Sequence, residues 1–189
     1  MTHNALCSNF VDALAVVEFR SIARGLECVN SLLKNFPVEL VILKTLCPGK
    51  ILASFTGEIA AVQNALETAK NGDLTYIDDF MLGNPVPQLI AAVRGVTPAA
   101  DHGALGVMET FTASQGFVAA DTAVKASGVS LVKIHIARGL AGKAHIYLTG
   151  SLGQVEAAIA AVEERFHPQV LGEQTIVASP DPRTWEAVW

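Results

Sequence analysis

ALAVVEFRSIARG, residues 13–25, and ALGVMETFTASQG, residues 104–116, are two versions of one sequence, and that repetition decides the fold. The offset is 104 − 13 = 91, which pairs Glu18 with Glu109, Gly25 with Gly116 and Lys34 with Lys125. It also sets Val38-Glu39-Leu40-Val41 against Val129-Ser130-Leu131-Val132. Further on the offset becomes 143 − 50 = 93, matching Gly49-Lys50 to Gly142-Lys143 and Gly57 to Gly150. The second copy therefore carries two extra residues in the loop after Ala137.

Hydrophobic periodicity supports the same register. Ile22, Leu26, Val29, Leu33 and Phe36 recur at steps of three and four, a helical stripe expected to face a core. Shifted by 91, the stripe reads Ala113, Phe117, Ala120, Val124 and Ser127. A second stripe, Ile59, Val62, Leu66 and Ala69, maps by 93 onto Leu152, Val155, Ile159 and Val162. Strand-forming runs lie between the helices at 13–19, 38–46, 50–55 and 74–82, with counterparts at 104–110, 129–137, 143–149 and 170–178. Each half reads β-α-β-β-α-β, so the α/β content resolves to an α+β, ferredoxin-like class: two helices over one face of a small mixed sheet, twice. Residues 85–100, rich in Pro, Ala and Gly, read as a short helix plus linker. The expected organisation is an extension at 1–12, a first domain at 13–97 and a second at 98–189, each half with a small core of its own.

The 189 residues are 51% hydrophobic, 6% aromatic and 16% charged. Thirteen basic against 18 acidic side chains leave a net charge of −5, which excludes the basic field of a nucleic-acid binder. Mean hydropathy is +0.39, yet no uncharged apolar run approaches the roughly 18 residues of a membrane span, so no membrane partner is expected. MTHNALCSNFVD lacks the basic and apolar regions of a secretory signal. Three cysteines do not make a disulfide framework, and a reducing cytoplasm is the expectation.

The stretch 13–69 and its repeat at 104–162 resemble the bacterial microcompartment shell domain, and the resemblance spans nearly the whole chain beyond residues 1–12. Two such domains in one chain resemble the tandem class, which implies a homotrimer whose six domains form a pseudohexamer. It further implies tiling with other shell proteins into the wall of a protein organelle in the bacterial cytoplasm. The loop Leu46-Cys47-Pro48-Gly49 falls where the family places its central pore, and Arg138, Gly139 and Leu140 form the matching loop of the second copy. The resemblance implies a [4Fe–4S] cluster at that pore, one per trimer, with metal and cofactor binding by Cys47 of each subunit. An encapsulated redox enzyme is the partner such a cluster would serve.

The residues themselves leave two readings of Cys47 open. Cys-Pro-Gly is turn chemistry, since Pro48 fixes φ and Gly49 permits positive φ. One cysteine cannot hold a cluster, but a three-fold axis converts one thiol into three soft ligands at a point. Arg138 either tunes the charge there or is a solvated loop residue. Cys28 beside Val29 reads as packing, and Cys7 as a thiol without a ligand role. His135 and His145 flank the second loop on neighbouring strands; two imidazoles fall short of a metal site. Glu18 and Glu109 end the first strand of each copy and suit a structural or subunit contact better than catalysis.

Lys34 and Lys125 occupy the position of the family's tile-edge lysine, whose aliphatic stem suits an interface; an ordinary lysine answering the helix dipole is the other reading. The asparagine usual a few residues later is replaced by Pro37 and Gly128. The usual Pro-Arg-Pro-His edge motif appears as Ser179-Pro180-Asp181-Pro182-Arg183, leaving Arg183 as a displaced edge cation. No Ser-His-Asp constellation, glycine-rich nucleotide loop or other catalytic set is present, and the expected protein is not an enzyme. The alternatives are a metal-free metabolite pore of the shell and a duplicated effector-binding trimer that does not tile.

Overall fold

The computed structural model describes residues 11–72, 76–97, 103–136 and 142–188. The first repeat is β1 (Ala13–Phe19), α1 (Ile22–Asn35), β2 (Glu39–Leu46), β3 (Lys50–Gly57), α2 (Ile59–Asn71) and β4 (Tyr76–Gly83), followed by α3 (Gln88–Arg94). The second is β5 (Ala104–Thr110), α4 (Ala113–Ser127), β6 (Ser130–Ile136), β7 (Ala144–Gly150), α5 (Leu152–Arg165) and β8 (Leu171–Val177), followed by α6 (Pro182–Val188). Local chemistry starts the helices where the repeat predicts. Ser21 accepts the Arg24 backbone N–H at 3.3 Å and Thr112 accepts that of Gln115 at 3.3 Å, while Ser151 and Gln154 form a capping box. No helix among the described residues is long and apolar enough to cross a membrane.

The sheets run β2-β3-β1-β4 and β6-β7-β5-β8, and every pairing is antiparallel. This corrects the expected mixed sheet. The crossover through α1 does leave β2 parallel to β1, but β3 inserts between them and runs the other way.

Burial corrects two further expectations. The stripe on α1 is core only in part: Ile22, Leu26 and Leu33 are exposed, whereas Val29 is buried, beside Gly25 and Leu32 from outside the stripe, and Phe36 packs against the core. The apolar surface of this helix is wider than the surface its own sheet covers. Nor does each half have a separate core. One core lies between the first sheet and α1 and α2, joining Ala15, Val17, Phe19, Val29, Leu32 and Leu66. A larger one holds the opposite face of the same sheet, Leu14, Val16 and Leu52, together with Phe117, Met108 and Ile146 of the second repeat. All seven residues of β1 are consequently buried.

Two matched glycines set the helix-to-sheet distance. A Cβ on Gly25 would stand 2.3 Å from Ile51 Cγ2, and one on Gly116 would stand 2.5 Å from Ala144 Cβ. Gly25 and Gly116 thus let α1 and α4 lie close on their strands.

Candidate functional site

The C-terminal ends of β1 and β5, the first turns of α1 and α4, the β2–β3 turn and the paired ends of β6 and β7 share one end of the molecule. At the first connection, Leu46 pairs with Lys50 and Cys47-Pro48-Gly49 form the turn. Gly49 has φ +73° with no neighbouring atom within 4 Å of a built Cβ, so backbone conformation rather than space selects glycine. The Cys47–Pro48 peptide is cis. Cys47 is half-buried and Pro48 and Gly49 are exposed, whereas Leu46 turns into the shared core. Arg138, Gly139 and Leu140 lie outside the described residues, as does Cys7. The second connection nevertheless returns beside the first: a Cβ on Gly142 would meet the Cys47 carbonyl at 3.6 Å and Lys50 Nζ at 3.9 Å. Among the described residues, no group of three or more His, Cys, Asp or Glu side chains of one chain is placed to hold a metal ion.

A duplicated ion pair underlies these turns. Lys50 Nζ lies 3.7 Å from Glu18 Oε2, and Lys143 Nζ lies 3.2 Å from Glu109 Oε2. The two environments differ. Glu18 is 1% exposed and its Oε1 accepts the backbone N–H of Ser114 in the first turn of α4, at 3.2 Å. Ser114 Oγ also hydrogen-bonds Asp78 Oδ2. Burial pushes the Glu18 carboxyl above its ordinary value, opposed by Lys50 and by the Ser114 N–H. Glu109, in contrast, is part-exposed, has His145 Nε2 at 4.0 Å, and its Lys143 sits 5.2 Å over the exposed Phe111 ring.

His135 and His145 are directly opposed across β6 and β7, with ring centroids 6.4 Å apart. Burial, then Lys133, His145 and Lys44, hold the His135 imidazole below its ordinary value. Cys28 packs half-buried against the first core.

Sequence reasoning missed the joint between the repeats. Asp121 is buried, accepts the Val86 N–H at 2.8 Å and binds Lys125 Nζ at 2.7 Å. Gln88 Oε1 accepts the Leu131 N–H across the joint at 2.7 Å, and Arg94 ties α3 to its own repeat by donating to the Val41 carbonyl at 3.1 Å. A signal for it was present: Pro85-Val86-Pro87 repeats as Pro180-Asp181-Pro182, at an offset of 180 − 85 = 95. Of the three edge residues, Lys34 is exposed in the last turn of α1, Lys125 is engaged with Asp121, and Arg183 chelates Asp181 with Nε–Oδ1 and Nη2–Oδ2 both 2.9 Å.

Paired antiparallel sheets, fused in tandem and joined through a helix of the second repeat, define a duplicated shell-type domain protein. The chain belongs to the bacterial microcompartment shell family: the BMC domain matches twice, at residues 13–85 and 104–180. It is 34% identical over 181 residues to the bacterial microcompartment shell protein PduT of Citrobacter freundii, covering 94% of this chain and 95% of that one. A solved microcompartment protein of Desulfitobacterium hafniense is 36% identical, with a TM-score of 0.84 over 92% of this chain and 98% of that one. The double-ringed trimeric shell protein of the RMM microcompartment, at 18% identity, shares the fold with a TM-score of 0.59 over 80% of this chain and 81% of its own. The family is structural and assembles with other shell proteins, and this chain takes its place in a microcompartment shell within the bacterial cytoplasm.

Proposed function

We propose that three copies of the chain close into a pseudohexameric ring, that the ring tiles with other shell proteins, and that Cys47 of each copy supplies one thiolate to a [4Fe–4S] cluster at the central opening. The carrying observation is the position of the Cys47 turn at one end of the chain with the second repeat's connection against it. Successive domains thus bring their turns together, and a ring of them surrounds an axis with these turns. One chain offers a single thiol there; three copies offer three, with the fourth iron left to a ligand from outside. Such a cluster, when bound, carries single electrons, which suits exchange between an encapsulated redox enzyme and the cytoplasm.

The chain's own residues hold the opening in shape. Gly49 makes the turn, Leu46 anchors it in the core, and the Lys50–Glu18 pair fixes the strand beneath it. At the rim, Lys34, Lys125 and Arg183 serve the contacts between tiles. Nothing in this role requires turnover of a substrate.

Protein purified anaerobically is expected to contain about four irons and four sulfides per trimer and to lose both in Cys47→Ser. Protein that stays colourless after reconstitution with iron and sulfide would replace this reading with a metal-free metabolite pore. Discrete trimers that never form sheets under the microscope would remove the tiling.

A further inference from the structure

Between the matched strands β2 and β6 one position has changed its chemistry. Lys44 of the first repeat becomes His135 of the second, and its cross-strand neighbour Leu52 becomes His145. We propose that His135, together with Lys133 and with Lys44 itself, forms a binding site for a small dianionic oxyanion, a sulfate or phosphate group. The site is built within one chain and depends on neither the ring nor the cluster.

The fold brings the three groups together from both repeats. β2 and β6 are edge strands, and α3 bridges them: its Gln88 accepts the Leu131 N–H of β6 and its Arg94 donates to the Val41 carbonyl of β2. The two lysines answer the C-terminal ends of matched helices. Lys44 Nζ donates to the Val93 carbonyl of α3 at 3.4 Å, and Lys133 Nζ to the Val188 carbonyl of α6 at 3.2 Å. In the second repeat the capping lysine therefore stands two residues earlier on its strand, and position 135 is released from that duty. What fills it is an exposed imidazole whose ring has no hydrogen-bond partner among the described residues.

Charge then selects the ligand. Among the described residues, the charged groups that act on the His135 ring are Lys133, His145 and Lys44, each a cation or able to become one. Glu109 stands one strand beyond His145, 4.0 Å from its Nε2, and is taken by Lys143 at 3.2 Å. In a chain of net charge −5, a cationic cluster without its own carboxylate is electrostatically uphill, and it holds the imidazole below its ordinary value. An oxyanion reverses that sign. It accepts from Lys44, whose ammonium spends one of its donors on Val93, and from an imidazole N–H. It also favours the charged imidazole, so binding takes up a proton at His135. The position stays open when its sheet is covered: in the first repeat Lys44 is exposed although Leu52 beside it is buried in the shared core.

Sulfate is the probe, because its own charge is constant through the range in which an imidazole titrates and any pH dependence belongs to the protein. Equilibrium dialysis of the full chain against radiolabelled sulfate, at fixed ionic strength in chloride, is expected to show about one saturable site per chain. Binding should be roughly fivefold to tenfold tighter at about pH 5.5 than at about pH 7.5. His135→Gln replaces an exposed side chain, keeps a donor and cannot be charged, so it should reduce that ratio to about twofold or less. Lys44→Gln is expected to weaken binding about threefold at either pH. Competition by inorganic phosphate alone would mark a free ion as the ligand, and competition by a phosphate monoester as well would mark a phosphorylated solute. Sulfate held no better than chloride, or a pH dependence that survives His135→Gln, would overturn the site. So would uptake of many sulfates per chain that ignores both substitutions, which is attraction to the surface at large.

Discussion

The helices α1 and α4 descend from the same repeat, yet one is half uncovered and the other is enclosed on nearly every side. α4 lies on its own sheet through Gly116, Ala120 and Ala123, and on the first repeat through Ala113, Phe117 and Asp121. α1 has the first contact, through Gly25, Val29 and Leu32, and lacks the second. The difference teaches that the unit of folding here is not the repeat. Within the chain the outer face of the first sheet is covered by a helix of the second repeat, while that of the second sheet is partly covered by α6.

The comparison breaks or holds first on Phe117 and Leu26. Phe117→Ala removes a fully buried ring between the sheets and is expected to lower the unfolding free energy by about 3–5 kcal/mol. Leu26→Ala, at the matched position, is expected to change it by about 0.5 kcal/mol or less in the dissociated chain. Urea unfolding of dilute protein measures both, and equal losses would mean that α1 is already covered in a single chain.

The two lysines sharpen it next. Lys50→Met leaves Glu18 buried with only the Ser114 N–H to answer its charge, and a loss of about 2–3 kcal/mol at neutral pH is expected. The sign with pH follows from the raised carboxyl. Folded Glu18 binds protons more readily than unfolded Glu18, so stability falls as pH rises through the interval above the ordinary carboxylate value, and the variant regains stability as the pH is lowered. Lys143→Met faces a part-exposed partner and should cost about 0.5 kcal/mol or less in the dissociated chain. Unfolding at pH 5 and pH 7 separates the two.

Smaller again is the difference between the matched glycines. A methyl on Gly116 meets Ala144 Cβ at 2.5 Å, an atom that moves only with its strand. On Gly25 it meets Ile51 Cγ2 at 2.3 Å and Phe19 Cδ2 and Cβ at 2.9 and 3.1 Å, but α1, exposed on its far side, can give outward where the enclosed α4 cannot. Either substitution gains about 1 kcal/mol of helix propensity against about 1–3 kcal/mol of overpacking. Gly116→Ala is expected to melt below Gly25→Ala in a calorimeter.

The repeat was legible because Glu, Gly and Lys recur at a fixed offset, and the strands followed from runs between two helical stripes. What escaped was which face each stripe meets. Ile22, Leu26, Val29 and Leu33 form a continuous apolar band, and periodicity cannot say that Val29 meets its own sheet while Leu26 stays exposed. The sheet's hand of pairing escaped for a similar reason: insertion of β3 between β1 and β2 is a three-dimensional event. Cys47 stood out through the family resemblance, its turn chemistry alone leaving two readings open, whereas Asp121 and Ser114 did not stand out, because their partners Val86 and Asp78 sit in the other repeat.

His135 offers the finest test of how far the repeats have diverged. Its counterpart in the first repeat is Lys44 (135 − 44 = 91), a lysine in place of an imidazole. Burial together with Lys133, His145 and Lys44 holds the imidazole below its ordinary value, so the unfolded chain binds more protons than the folded one in the interval just beneath about pH 6.5. Stability should therefore rise as the pH increases through that interval and be lost as it falls. Lys133→Gln removes one repelling charge, so it should move the His135 titration upward in an NMR experiment and flatten the slope of stability. The change is expected to be small, because His135 is exposed and water screens its neighbours. An unmoved titration would mean that Lys133 does not act on the imidazole and that burial dominates its value.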